Sequence, residues 1–179
     1  MVPAVASLVA AALAFAPLNH AAHHRTHRQT SAHLFGASRL EVNLLRDINQ
    51  ERARHGLRGL RWSSRLRRAA DQHSASMAAK GYFAHESADG SAFWKRIAVF
   101  YGYRGYRSWS VGENLLWSSP GISPSGALRM WMNSPPHREN LLSRTWRDVG
   151  LSAVHVERAP GVYGGNEVTI VTADFGVRF

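Results

Sequence analysis

Three short motifs, each weak alone, carry residues whose types can do chemistry: His85 in "GYFAHESADG", Glu113 in "VGENLLW" and His137 in "SPPHREN". Two neutral imidazoles can hold a divalent ion such as zinc, with a carboxylate orienting one of them or adding a third ligand and water in the open position. Without metal, the carboxylate can raise a histidine's pKa and make the pair a general acid or base near neutral pH. A Ser-His-Glu hydrolase would also need a nucleophile. Ser87 and Ser134 lie near the motifs in sequence, but no nucleophile-elbow motif surrounds either. The purely structural alternative is a polar network that shapes a cleft, with Glu113 holding the loop after "SWSVG" through backbone hydrogen bonds.

The elements that must position these residues can be read from periodicity. "LEVNLLRDINQERARHG" has apolar residues at 40, 44, 45 and 48, which is helical spacing, and Gly56 is a fitting stop. "SSRLRRAADQHSASMAAKG" predicts a second helix from Ser63 or Ser64 to Gly81, with His73 on its inner stripe as a satisfied core residue. A third helix is expected in "SAFWKRIAVFYG" with Ser91 as its cap, and a fourth in "SPSGALRMWMN". Ser134-Pro135-Pro136 then ends that helix and opens a short further one, because proline fixes φ and is tolerated in a first helical turn. His137 would be held at a set angle just inside it. Beyond this point the period changes to two. "VGLSAVHVER" and "NEVTIVTADFGVRF" read as strands joined by a loop containing Gly161, Gly164 and Gly165. Helices followed by an antiparallel sheet give an α+β layered domain.

Residues 4–16, "AVASLVAAALAFA", are too short to span a bilayer comfortably but suit the core of a signal peptide, expected over 1–18; an uncleaved anchor is the alternative. Residues 19–39 carry five of the ten histidines and no acid, and read as a disordered His/Arg-rich linker. Residues 40–179 form the one domain, whose nineteen basic residues outnumber its twelve acidic ones. Eight arginines between Arg46 and Arg68 suit an anionic envelope surface as well as a solvated helix face. With no cysteine, neither disulfide nor thiolate chemistry is available.

The three motifs, in this order and at these intervals, resemble the CAP superfamily of cysteine-rich secretory, antigen 5 and pathogenesis-related proteins, in its cysteine-free bacterial branch. The resemblance spans about Leu40 to Phe179. It includes Asn49 and Arg52, Trp62, "GYFAH", "GEN", Trp131 before the Ser-Pro-x-His-Arg run, Asn140-Leu141-Leu142 and the closing "TADFG". It implies a three-layer α-β-α sandwich of CAP type in which His85, Glu113 and His137 line one open cleft. Two departures stand out: Pro136 replaces a usual glycine, and Ser134 stands where eukaryotic members often have a second acid.

Asn114 and Ser134 are accessory candidates for the cleft. So are Tyr103, Tyr106 and Trp109 from "FWKRIAVFYGYRGYRSWS", an aromatic run that could stack on sugars, bases or lipid, or simply close a core. The resulting expectation is a secreted, monomeric module whose cleft takes an amphiphilic lipid or cell-wall glycan, with His85 and His137 as the candidate ligands of a zinc-like ion. Nucleic acid is disfavoured by export and by the lack of a recognised motif. A metal-assisted hydrolase of peptide or ester bonds, and a purely interactive surface with a vestigial cleft, are the competing readings.

Overall fold

The computed structural model describes residues 38–179; the expected signal peptide and most of the His-rich linker lie outside the described residues. Helix α1 (Arg39–Arg54) starts from a capping box in which Ser38 accepts from the Glu41 N–H and Glu41 reaches back to the Ser38 N–H. The linker therefore ends earlier than position 39, since Ser38 and Arg39 already belong to the helix and its cap. Leu44, Ile48 and Arg52 form the buried stripe of α1. Strand β1 (Arg61–Trp62) follows, then α2 (Ser64–Lys80), α3 (Phe93–Phe100), β2 (Trp109–Ser118), α4 (Pro124–Asn133), α5 (Pro135–Leu141), β3 (Asp148–Val156) and β4 (Val168–Arg178).

The sheet has the order β1-β3-β4-β2. β3 and β4 form the expected antiparallel hairpin, and β2 adds antiparallel to β4 with Glu113 opposite Asp174. The two-residue β1 runs parallel to β3, so the sheet is mixed at one edge. Period-two alternation divides β4 between two cores. Val171, Ala173, Phe175 and Val177 pack with Leu44, Ile48, Trp131 and Leu141 of α1, α4 and α5. Val168 and Ile170 pack with Met77 and Ala78 of α2 on the opposite face. Three layers result, as the family resemblance implied.

Helix α2 lies unusually close to the sheet. A Cβ on Gly150 of β3 would sit 2.0 Å from the Arg67 nitrogen and 2.2 Å from the Leu66 carbonyl carbon, so only glycine permits the approach. Ala69, Ala70, Ser74 and Ala78 keep the facing helix surface thin. The helix ends at Gly81, which takes the left-handed conformation (φ 69°) and donates its N–H to Met77.

Two local expectations change. Ser91 is not the cap of α3: Ala92 occupies that position without a side-chain bond, while the Ser91 N–H is taken by Asp89 in the preceding turn. "VGENLLW" is not loop but strand β2. Its Gly, Glu and Asn disfavour strands in isolation, and the pairing with β4 overrides that preference.

Candidate functional site

The site is organised by two neighbouring residues of β2. Successive side chains on a strand point to opposite faces, so Glu113 faces α2 and α3 while Asn114 faces α5. Each pins one histidine-bearing segment from its own side.

On the first face, His85 Nδ1 lies 2.8 Å from Glu113 Oε1, and Arg96 of α3 donates from Nη2 to Glu113 Oε2. Arg96 Nη1 also donates to the His85 carbonyl (3.3 Å) and to Ser87 Oγ (3.4 Å). Burial acts to raise the Glu113 pKa, but the His85 hydrogen bond and the Arg96 charge outweigh it and hold the carboxyl below its usual range. Because Nδ1 is committed to Glu113, any further bond of the His85 ring runs through Nε2. His73 of α2 supports the same loop through Nε2, 2.9 Å from the Ala84 carbonyl. Its pKa is lowered to about 4, first by burial, so it is neutral and donates there.

Asp174 completes this buried cluster. Both its oxygens are buried without a hydrogen bond of ordinary geometry, and its strand position is directly across from Glu113. Burial raises its pKa well above the ordinary value, and the neighbouring Glu113 charge raises it further. With Arg96 and His85 both turned to Glu113, the negative charge rests there, and Asp174 holds its proton to higher pH than an ordinary aspartic acid.

On the other face, Asn114 Nδ2 donates to the His137 carbonyl (3.0 Å). Asn140 donates to both Asn114 Oδ1 (2.9 Å) and the Glu113 carbonyl (3.3 Å), and Trp146 Nε1 donates to Asn140 Oδ1 (2.8 Å). A Cβ on Gly112 would fall 2.7 Å from the Trp146 ring and 2.9 Å from Asn140 Oδ1, which explains the glycine in "GEN". Pro135 and Pro136 fill the first turn of α5, where missing N–H groups cost nothing. No non-glycine residue among those described has positive φ, so Pro136 sits without strain. The far end of α5 is tied to α1 by buried Arg52, which donates to the Leu141 (2.6 Å) and Ser143 (3.0 Å) carbonyls.

His137 is thus fixed through its main chain at both flanks, and its ring makes no hydrogen bond within the described residues. Burial, then the neighbouring His85, lowers its pKa to about 4, so the ring is neutral at physiological pH. The two histidine segments are held from opposite faces of edge strand β2, and His85 is near enough to act electrostatically on the His137 ring.

The other candidates separate. Asn114 belongs to the site as the anchor of His137. Ser134 is buried between α4 and α5 with an unpartnered hydroxyl, and Ser87 is bonded to Arg96, so neither forms a Ser-His pair. Trp109 is no loop wall: it opens β2, is buried, and donates its indole N–H to the Tyr101 carbonyl (2.7 Å). Tyr103 and Tyr106 line a different depression with Arg65, Lys95 and Arg178. As a metal centre the donor set is incomplete, because Glu113 has both oxygens engaged and no group of three or more His, Asp or Glu among the described residues is arranged to hold an ion.

Residues 45–174 match the Cysteine-rich secretory protein family, CAP. The chain belongs to the CAP family. Over 131 residues it is 30% identical to YkwD of Bacillus subtilis (strain 168), covering 73% of this chain and 48% of that protein. An extracellular protein containing an SCP domain from Bacillus anthracis is 27% identical with a TM-score of 0.57, over 75% of this chain and 39% of that one. An outer surface protein of Borrelia burgdorferi shares the fold at 19% identity, TM-score 0.59, over 77% and 92% of the two chains. The chain therefore spans about half or less of the first two relatives, and only its CAP domain is compared.

Within that CAP domain, sequence reasoning missed Arg96 and Asp174. Arg96 hid among twenty arginines. Asp174 was visible in "TADFG", an acid inside an apolar strand run, which is a signal for a buried functional or paired carboxyl.

Proposed function

We propose that this CAP domain is an exported binding module whose cleft recognises the polar part of an amphiphilic or glycan ligand through His137 and His85. The carrying observation is His137: a neutral imidazole, its backbone pinned by Asn114, whose ring makes no hydrogen bond within the described residues. Such a ring can donate from one nitrogen and accept on the other, which suits hydroxyl and amide groups. The hydrolase reading has weaker support. Glu113 is engaged on both oxygens and its pKa is depressed, which makes it a poor general base, and no serine is paired with a histidine. Export rests on the apolar run at 4–16 and on the extracellular and outer-surface relatives.

The test uses the full chain with soluble peptidoglycan fragments and a fatty-acid probe. The proposal expects binding that His137→Ala abolishes while the circular dichroism and melting midpoint are kept. A His137→Ala chain that fails to fold points instead to a structural role, and undiminished binding in a folded variant places the ligand elsewhere.

A second reading is a partial zinc site. The Glu113 carboxylate on His85 Nδ1 is the outer-shell arrangement that orients a ligating imidazole. His85 and His137 would hold the ion, with solvent or ligand supplying the remaining positions. Calorimetry with zinc decides it: a one-to-one component lost in His85→Ala/His137→Ala supports the reading, and identical isotherms assign all binding to the His-rich segment.

A further inference from the structure

We propose that the outer face of α3, the helix whose inner face carries Arg96 of the histidine site, is a docking track for an acidic glycan. A depression of about 550 Å³, within the range of ligand sites, is lined by four cations (Arg65, Lys95, Arg104, Arg178), by Tyr103 and Tyr106, and by no acid. A second depression of about 380 Å³ shares Lys95 and Val99 with it, so the two meet across the helix; it adds Lys80 and one acid, Asp89, and reaches His73, Ser87 and Arg96 on the His85 side of the site. The chain has twenty arginines and two lysines, and both lysines line this continuous surface.

Three features make the first depression a site rather than a solvated charge run. None of its four cations is in an ion pair among the described residues; Asp148 is already held by Arg61 (2.9 Å) and the Tyr101 hydroxyl (2.7 Å). Arg178 is prepositioned, its guanidinium 4.1 Å from the Tyr101 ring centre and 4.5 Å from that of Tyr106, with Nη1 donating to the Gly102 carbonyl (3.2 Å). Tyr103 and Tyr106 are 49% and 39% exposed, and Tyr103 is braced edge-on against Trp109 at 5.7 Å. Fixed tyrosine faces beside guanidinium groups are what sugar rings carrying carboxylate, sulfate or phosphate require. The eight residues of α3 run about 12 Å, enough for a few sugar rings. A membrane surface fits less well, since Val99 (78% exposed) is the one large aliphatic side chain that the track exposes.

The experiment titrates full-length protein with a heparin oligosaccharide at low salt, with a chitin oligosaccharide of equal length as the neutral control. Lys95→Glu and Arg104→Glu should each weaken heparin binding about tenfold. Tyr103→Ala should weaken it about fivefold at unchanged net charge. Arg46→Glu on α1 makes the same charge change elsewhere and should alter affinity by less than about twofold, and His137→Ala should leave it unchanged. Equal losses for Arg46→Glu and Lys95→Glu would reduce the effect to net charge and overturn the proposal. So would an unaffected Tyr103→Ala, or a wild type that prefers phosphatidylglycerol vesicles or single-stranded DNA to heparin.

Discussion

Replacing Asp174 by Asn should make the protein more stable as the pH rises, which is the reverse of what removal of a buried ion-paired carboxylate does. Asp174 faces Glu113 across the β2–β4 pair in a fully buried setting where Arg96 balances only one negative charge. Its folded-state pKa lies well above its ordinary value. The unfolded chain releases that proton near pH 4 while the folded chain keeps it, so the native state binds more protons and loses stability as pH increases. The slope is about 1.4 kcal/mol per pH unit for one proton, from the unfolded pKa up to the folded one. Asparagine has the same shape and no proton to lose. At pH 4 the two proteins should differ by only about 1 kcal/mol, the scale of one exchanged hydrogen bond. Above pH 4 the difference should grow in favour of Asp174→Asn along that slope. Urea denaturation at half-unit pH intervals measures it. A difference that is flat with pH, or that moves against the variant, would mean that Asp174 is ionised in the fold, and the one-carboxylate account of the site would be wrong.

Three further outcomes are expected. Glu113→Gln leaves the buried Arg96 guanidinium without its carboxylate and should cost about 3 kcal/mol in urea denaturation at pH 7; Asp174 should then ionise to replace it, so that Glu113→Gln/Asp174→Asn is worse than the sum of the single changes. Gly150→Ala drives a methyl into the α2 backbone and should cost about 3 kcal/mol by overpacking, read as a lowered melting midpoint. His137, with its folded pKa about 4, is neutral where the unfolded residue is charged, so it contributes stability that is lost as pH falls from 6.5 towards 4. His137→Gln should flatten that slope by up to about 1.4 kcal/mol per pH unit.

Most of the architecture was legible because it rests on patterns a single sequence carries. The stripe of Leu44 and Ile48, the Gly81 terminator and the period-two run after Val149 each announce one element. Strand β2 was not legible, because its burial is nearly continuous and its Gly112, Glu113 and Asn114 are poor strand formers that only the pairing with β4 makes acceptable. The same strand explains why the site was only half readable. His85, Glu113 and His137 could be named from their motifs, but the way Glu113 and Asn114 divide the two histidines between opposite faces exists only once the strand does. Arg96 and Asp174 act through a cross-strand and a helix-to-strand contact, which no local spacing encodes. Ser91 misled because a serine before an apolar helix is normally its cap, and here the Asp89 turn uses its N–H instead.

The neutral His137 ring at the cleft is the point on which the binding account depends, and imidazole nitrogen NMR of the full-length, isotopically labelled chain between pH 4 and 7.5 observes it directly. His137 should keep the spectrum of a neutral ring down to about pH 5 and begin to protonate only near pH 4, with His85 showing its proton on Nδ1 against Glu113. A His137 ring that titrates near pH 6.5 like an exposed histidine would contradict the account, because the cleft would then present a solvated, switchable charge in place of a fixed neutral imidazole.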